Sequence, residues 1–243
     1  FINSVLETFA HTLSEEVQQY SGFTLQEQQV QIIMAILSNY TPECLVRSSV
    51  SCYVSELGSF GKMPAAEFAQ KFVRAVNIAR NDTYRAATHN KGIYNGIDAV
   101  VIATGNDFRA IEACGHAYAA RNGKYISLSE AGITDGKLWF QLEVPLALGT
   151  IGGLTKIHPL AKLSLELLGN PTAEELMQIT ATVGLAQNFA AIRSLVTTGI
   201  QKGHMKMHFG NILSHFNATD HERNLAEIYF TDKTVSFASV RSF

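Results

Sequence analysis

Ile126-Ser127-Leu128, then Asp135-Gly136, then Lys137-Leu138-Trp139-Phe140-Gln141-Leu142-Glu143-Val144 is the stretch that decides the fold class. Asp-Gly suits a two-residue hairpin turn, whose central residues both need positive φ. Leu138, Phe140, Leu142 and Val144 alternate with polar or amphipathic neighbours, so the second strand has one apolar face. Helical patterns flank this hairpin. Upstream, Phe68, Phe72, Ala75, Val76 and Ala79 share one helical face behind Pro64, which is placed to open the helix. Lys71, Arg74 and Arg80 are left for water. Residues 108 to 121 also read as helix. Downstream, residues 149 to 153 form a Gly-rich turn, and residues 159 to 168 a helix stopped by Gly169. Thr172-Ala173-Glu174-Glu175 is a capping box that opens a long helical stretch. From residue 199 the pattern becomes a shorter, His-richer helical tail.

Near the start, Val5, Leu6, Phe9, Leu13 and Val17 form a helix-period stripe. Val30-Gln31-Ile32-Ile33-Met34-Ala35-Ile36-Leu37 reads as a buried strand, and residues 45 to 54 as a second β-like stretch. The expected class is α+β.

The 243 residues are enough for one large domain or two small ones, with 47% hydrophobic and 16% charged residues, a globular composition. A net charge of -2 gives no basic footprint for nucleic acid or anionic lipid. No apolar run approaches the roughly 18 residues a membrane span needs, and no signal peptide is visible. Cys44, Cys52 and Cys114 form no C-x-x-C pair and suggest reduced thiols in a cytoplasmic protein. Phe1 is no initiator methionine, so the chain is expected to be a piece of a longer polypeptide.

Two clusters could carry chemistry. The first is Tyr84-Arg85-Ala86-Ala87-Thr88-His89-Asn90-Lys91-Gly92, followed by Asn95 and Asp107. A lysine ammonium can stabilise a developing oxyanion, and a nearby carboxylate would hold it and set its proton affinity. Lys-Asp pairs are also common in purely structural ion networks. The second is Lys202-Gly203-His204-Met205-Lys206-Met207-His208. His204 and His208 share a helical face, as zinc ligands can, but Met205 stands where the zincin motif needs Glu, and no metal is expected. His204 could instead donate a proton near neutral pH, or both histidines could simply face solvent. The glycines from 149 to 153 match neither the Walker pattern nor G-x-G-x-x-G. Cys114, Gly115 and His116 are neighbours that point apart on a helix and read as packing.

Longer strings go further. Arg85-Ala86-Ala87-Thr88-His89-Asn90-Lys91-Gly92-Ile93-Tyr94-Asn95-Gly96, Ala103-Thr104-Gly105-Asn106-Asp107, Gly184-Leu185-Ala186-Gln187-Asn188 and Gly199-Ile200-Gln201-Lys202-Gly203-His204-Met205 resemble 3-hydroxy-3-methylglutaryl-coenzyme A (HMG-CoA) reductases of the soluble, bacterial class II branch. The resemblance runs from near residue 1 to about residue 212, in the family's order and spacing. It implies that Lys91 is the catalytic lysine, Asp107 the aspartate that orients and tunes it, and His204 the histidine that protonates the departing coenzyme A thiolate. Arg85 and Asn95 are implied to bind the hydroxymethylglutaryl portion, and Asn39 to lie near the nicotinamide of NADH or NADPH.

The same resemblance implies a four-electron reduction of HMG-CoA to mevalonate in a homodimer with its active site at the interface, with no nucleic-acid or membrane partner. Residues 1–38 are expected to finish a small ferredoxin-like cofactor domain. Residues 39–198 are expected to form the large substrate domain, and residues 199–243 a mobile flap. The family's catalytic glutamate and D-A-M-G-A-N cofactor motif are expected upstream of residue 1, and neither Glu112 nor Glu143 takes that role. A catalytically incomplete binding or dimerisation part of the enzyme is the alternative reading.

Overall fold

A computed structural model describes residues 2–61, 63–152, 154–197, 199–231, 233 and 235–243; for residues 154, 156 and 200–207 it describes the backbone alone. In chain order the elements are α1 (Ile2–Gln19), β1 (Leu45–Tyr53), α2 (Ala65–Asn81), α3 (Thr83–Ala103), α4 (Phe108–Ala119), β2 (Ser129–Thr134) and β3 (Lys137–Pro145). There follow α5 (Leu154–Ile157), α6 (Pro159–Leu167), α7 (Ala173–Val196), α8 (Ile200–His215), α9 (Asp220–Tyr229) and α10 (Phe237–Arg241).

The hairpin forms where the sequence places its turn. Asp135 and Gly136 adopt φ of 51° and 74°, and β2 pairs antiparallel with β3 from Thr134 opposite Lys137 to Ser129 opposite Leu142. β1 adds antiparallel to the other edge of β3, giving the order β1-β3-β2. Alternation then puts Leu138, Phe140, Leu142 and Val144 on the core face. Phe72 of α2 meets Phe140 edge-on at 5.0 Å between centroids, and Phe189 of α7 at 5.1 Å. The opposite face is charged. Glu143 accepts from Arg47 at 2.5 Å and from the Tyr118 hydroxyl at 2.7 Å, and the Arg47 hydrogen bond, more than any other cause, holds its carboxyl below the usual range.

α2 buries Phe68, Phe72, Val76 and Ala79 as the stripe requires. α7 starts at the capping box, with Thr172 Oγ1 accepting from Glu175 N and Glu175 Oε2 accepting from Thr172 N. α3 packs against α7 at very short range through glycines. A Cβ on Gly96 would lie 2.8 Å from the Val183 carbonyl oxygen, and one on Gly184 would lie 2.8 Å from Ile97 Cγ1. A second, separate apolar cluster of Ile212, Leu213, Ala226, Phe230 and Val240 ties α8, α9 and α10 together.

One expectation fails. Residues 30 to 37 form no strand; they run irregularly and exposed, with Ile33, Met34 and Ile36 each at least 70% accessible. Hydrophobic content made this segment look like a strand, but a strand needs a neighbouring edge to satisfy its backbone, and no described residue supplies one. Val5, Phe9 and Leu13 of α1 are exposed for the related reason that no described element covers their stripe. No helix among the described residues is long and apolar enough to cross a membrane.

Candidate active site

α3 is the element on which the site is built. Asp82 caps its start, accepting from Tyr84 N at 2.8 Å and Arg85 N at 3.4 Å. One side of the helix is sealed: Ala86, His89, Asn90, Ile93, Tyr94, Ile97 and Val101 are buried. With about 100° of rotation per residue, Tyr84, Lys91, Asn95 and Ile102 fall together on the opposite side, and all four are exposed. Lys91 makes no hydrogen bond or ion pair with a described residue. Arg85, half-buried, likewise has no carboxylate partner among the described residues, and burial lowers its proton affinity from the usual guanidinium value. A cation kept partly out of water without a counter-ion is ready for an anionic ligand.

Asp107 sits elsewhere. It caps α4, and its Oδ1 takes every donor: Arg109 N at 3.0 Å, Ala110 N at 3.3 Å and Arg109 Nε at 3.5 Å. These bonds, led by that from Ala110, hold its carboxyl below the usual range. Its Oδ2 receives no donor from the described residues. From Lys91, α3 runs on to Ala103, about 18 Å of axial rise, before the turn that carries Asp107. Within one chain the structure therefore does not bring Lys91 and Asp107 together. Between them, Asn106 pins the Gly-rich turn, donating to the Gly149 oxygen at 3.1 Å and accepting from Gly149 N at 2.9 Å.

Relatives identify the family. The family model for hydroxymethylglutaryl-coenzyme A reductase matches residues 1–209. The chain belongs to that family. It is 46% identical over 192 residues to the 3-hydroxy-3-methylglutaryl-coenzyme A reductase of Archaeoglobus fulgidus, covering 79% of this chain and 42% of that protein. It is 35% identical over 219 residues to a probable reductase of Borreliella burgdorferi, covering 88% of this chain and 51% of that one. A reductase structure from Streptococcus pneumoniae aligns with a TM-score of 0.71 at 40% identity, covering 99% of this chain and 55% of that chain. A class II reductase structure from the same organism, bound to NADPH in open conformations, aligns with a TM-score of 0.70 at 44% identity over 81% of this chain and 50% of that one. The chain thus spans about half the length of the reductases it matches.

Of the reductase positions read from the sequence, Arg85, Lys91 and Asn95 share α3, while Asp107 lies past its far end. Asn39 is exposed in a bend before β1. His204 lies on the backbone of α8, and its side chain is outside the described residues. The sequence reading missed a buried polar cluster under the reductase motif: His89, Ser127, Ser129 and Asn188 are buried and linked by hydrogen bonds, and buried Asn90 beside them bonds the backbone of Ile126 and Leu128. Two of the four quoted motifs, Thr88-His89-Asn90 and Ala186-Gln187-Asn188, meet in it, and that shared membership was the available signal.

Proposed function

We propose that the complete protein reduces HMG-CoA to mevalonate and coenzyme A with two NADH or NADPH. We place the reaction in a homodimer whose active sites take Lys91 from one subunit and Asp107 from the other. What supports this reading is an exposed ammonium on α3 and a carboxylate at the start of α4 that keeps one oxygen free, with no ion pair between them within the chain. In such a dimer a twofold axis that pairs Lys91 of one subunit with Asp107 of the other does so twice, giving two sites.

The reduced nicotinamide, when bound, supplies hydride, and the exposed Asn39 amide offers the donor and acceptor that a carboxamide pairs with. Negative charge then grows on the substrate oxygen. Lys91 stabilises it with its ammonium, held in place by the Asp107 carboxylate. Arg85 binds the substrate carboxylate, and Asn95, one helical turn beyond Lys91, hydrogen-bonds the acyl portion. His204 gives its proton to the departing thiolate. The three cysteines, none in a disulfide, fit a cytosolic setting.

Full-length Lys91→Ala and Asp107→Asn dimers should each be inactive. Unfolded, mixed and refolded together, they should recover about a quarter of wild-type mevalonate formation, because half the dimers are mixed and each mixed dimer has one intact site. No recovery from well-folded mixed dimers would overturn the shared site. Normal turnover by Lys91→Ala would overturn the reductase reading itself.

A further inference from the structure

We infer that His89, Ser129 and Asn188 form a buried positioning relay that fixes the rotation of α3, and with it the direction in which Arg85 and Lys91 face their ligand. The inference rests on the proposed role of Lys91.

The three residues come from three elements and meet at one hydroxyl. His89 Nε2 lies 2.6 Å from Ser129 Oγ on β2, and Ser129 Oγ donates to Asn188 Oδ1 on α7 at 2.9 Å. Ser127 cannot supply a proton to that oxygen, because its own hydroxyl donates to the Ser129 carbonyl at 2.9 Å. Ser129 has one proton and has given it to Asn188, so the short contact to His89 requires the imidazole to donate. His89 is therefore the Nε2–H tautomer. Its Nδ1 is left as a bare, buried acceptor with no partner among the described residues. Burial, reinforced by the Arg85 guanidinium one turn away, holds the ring neutral, with a pKa lowered to about 3. Arg85 is the charged group that bears on the ring; Ser129 and Asn188, which face it from β2 and α7, are neutral.

The next residue doubles the clamp. Asn90 donates to the Ile126 oxygen at 2.9 Å and accepts from Leu128 N at 3.0 Å. Apolar contact resists separation of α3 from the core but is indifferent to direction, whereas hydrogen bonds are directional. A rotation of α3 that swung Lys91 would break three such bonds at once. An orphaned buried nitrogen is costly and calls for an explanation. If stability were the only requirement, leucine would fit the position without that cost.

The test uses the full-length enzyme. His89→Leu fills the space and removes the orphan, so the variant should melt within a few degrees of wild type. Its kcat should nonetheless fall about a hundred-fold, the scale of a misplaced reacting group. His89→Gln restores a donor toward Ser129 and should recover most of that loss. Asn188→Asp places a carboxylate on the relay, which raises the imidazole's proton affinity. It should therefore add an inflection to the kcat–pH profile that disappears in Asn188→Asp/His89→Gln. Independently of turnover, nitrogen-15 NMR of the wild-type ring should show the neutral Nε2–H tautomer from pH 5 to pH 8. The relay is overturned by a folded His89→Leu with wild-type kcat, by equal impairment of the Leu and Gln variants, or by an Nδ1–H ring. An inactive wild type with the expected tautomer would instead count against the reductase reading.

Discussion

Replacing Gly96 by alanine tests the close approach of the α3 and α7 backbones. The new Cβ would sit 2.8 Å from the Val183 oxygen, 3.1 Å from the Val183 carbonyl carbon and 2.9 Å from Gln187 Cβ. Two of these atoms belong to the α7 backbone and cannot swing aside, so the helices must part. Overpacking of this kind costs about 2–3 kcal/mol, at the upper end of its range because backbone must move. Against that, alanine gains about 1 kcal/mol of helix propensity over glycine. The net loss is about 1–2 kcal/mol, which at a urea dependence of roughly 3 kcal/mol per molar lowers the midpoint by about 0.5 M. Gly92→Ala is the control on the same helix. Its nearest neighbour is Ala191 Cβ at 3.9 Å, an ordinary contact, so propensity alone acts and the midpoint should rise. Equilibrium unfolding followed by circular dichroism reads both. A Gly96→Ala protein as stable as wild type would refute the packing argument, and with it the close glycine-mediated contact between α3 and α7.

Asp98 gives a pH signature. Burial first, then Glu112, raises its carboxyl to about 6, so the folded chain holds that proton at pH values where the unfolded chain has released it. Its contribution to stability therefore declines as pH rises from about 4 to about 6, and Asp98→Asn should gain on wild type between pH 4.5 and pH 7; a constant gap in urea midpoints would contradict this. Thr172→Ala removes the hydroxyl that caps α7 and should cost about 1 kcal/mol in the same unfolding assay; no change would mean that the cap adds nothing to a helix already held by its packing.

Features set by neighbours along the chain were legible in the sequence. The hairpin announced itself in Asp135-Gly136, the α2 core face in the spacing of Phe68, Phe72, Val76 and Ala79, and the start of α7 in Thr172 and Glu175. The failed strand at residues 30 to 37 marks the limit. Its apolar residues describe what the segment could bury, but pairing depends on an edge supplied from elsewhere. The site divides in the same way. Lys91, Arg85 and Asn95 were found because their strings resemble a family, whereas the helix that carries them was not read from the sequence. His89, Ser129 and Asn188 are 40 and 59 residues apart in the chain, and no local pattern announces a contact at that separation. The distance between Lys91 and Asp107 was equally invisible, since sixteen residues of sequence look near until twelve of them are straightened into a helix.

Among the described residues, the small apolar knot joining α8, α9 and α10 shares no buried residue with the main interior. Heat should therefore act on the molecule in two stages, with a calorimeter resolving a minor endotherm before the major one. His204 rides on the first of these helices, so in its proposed role as proton donor turnover would vanish at the earlier event while most of the ellipticity persists. A single melting temperature would describe neither.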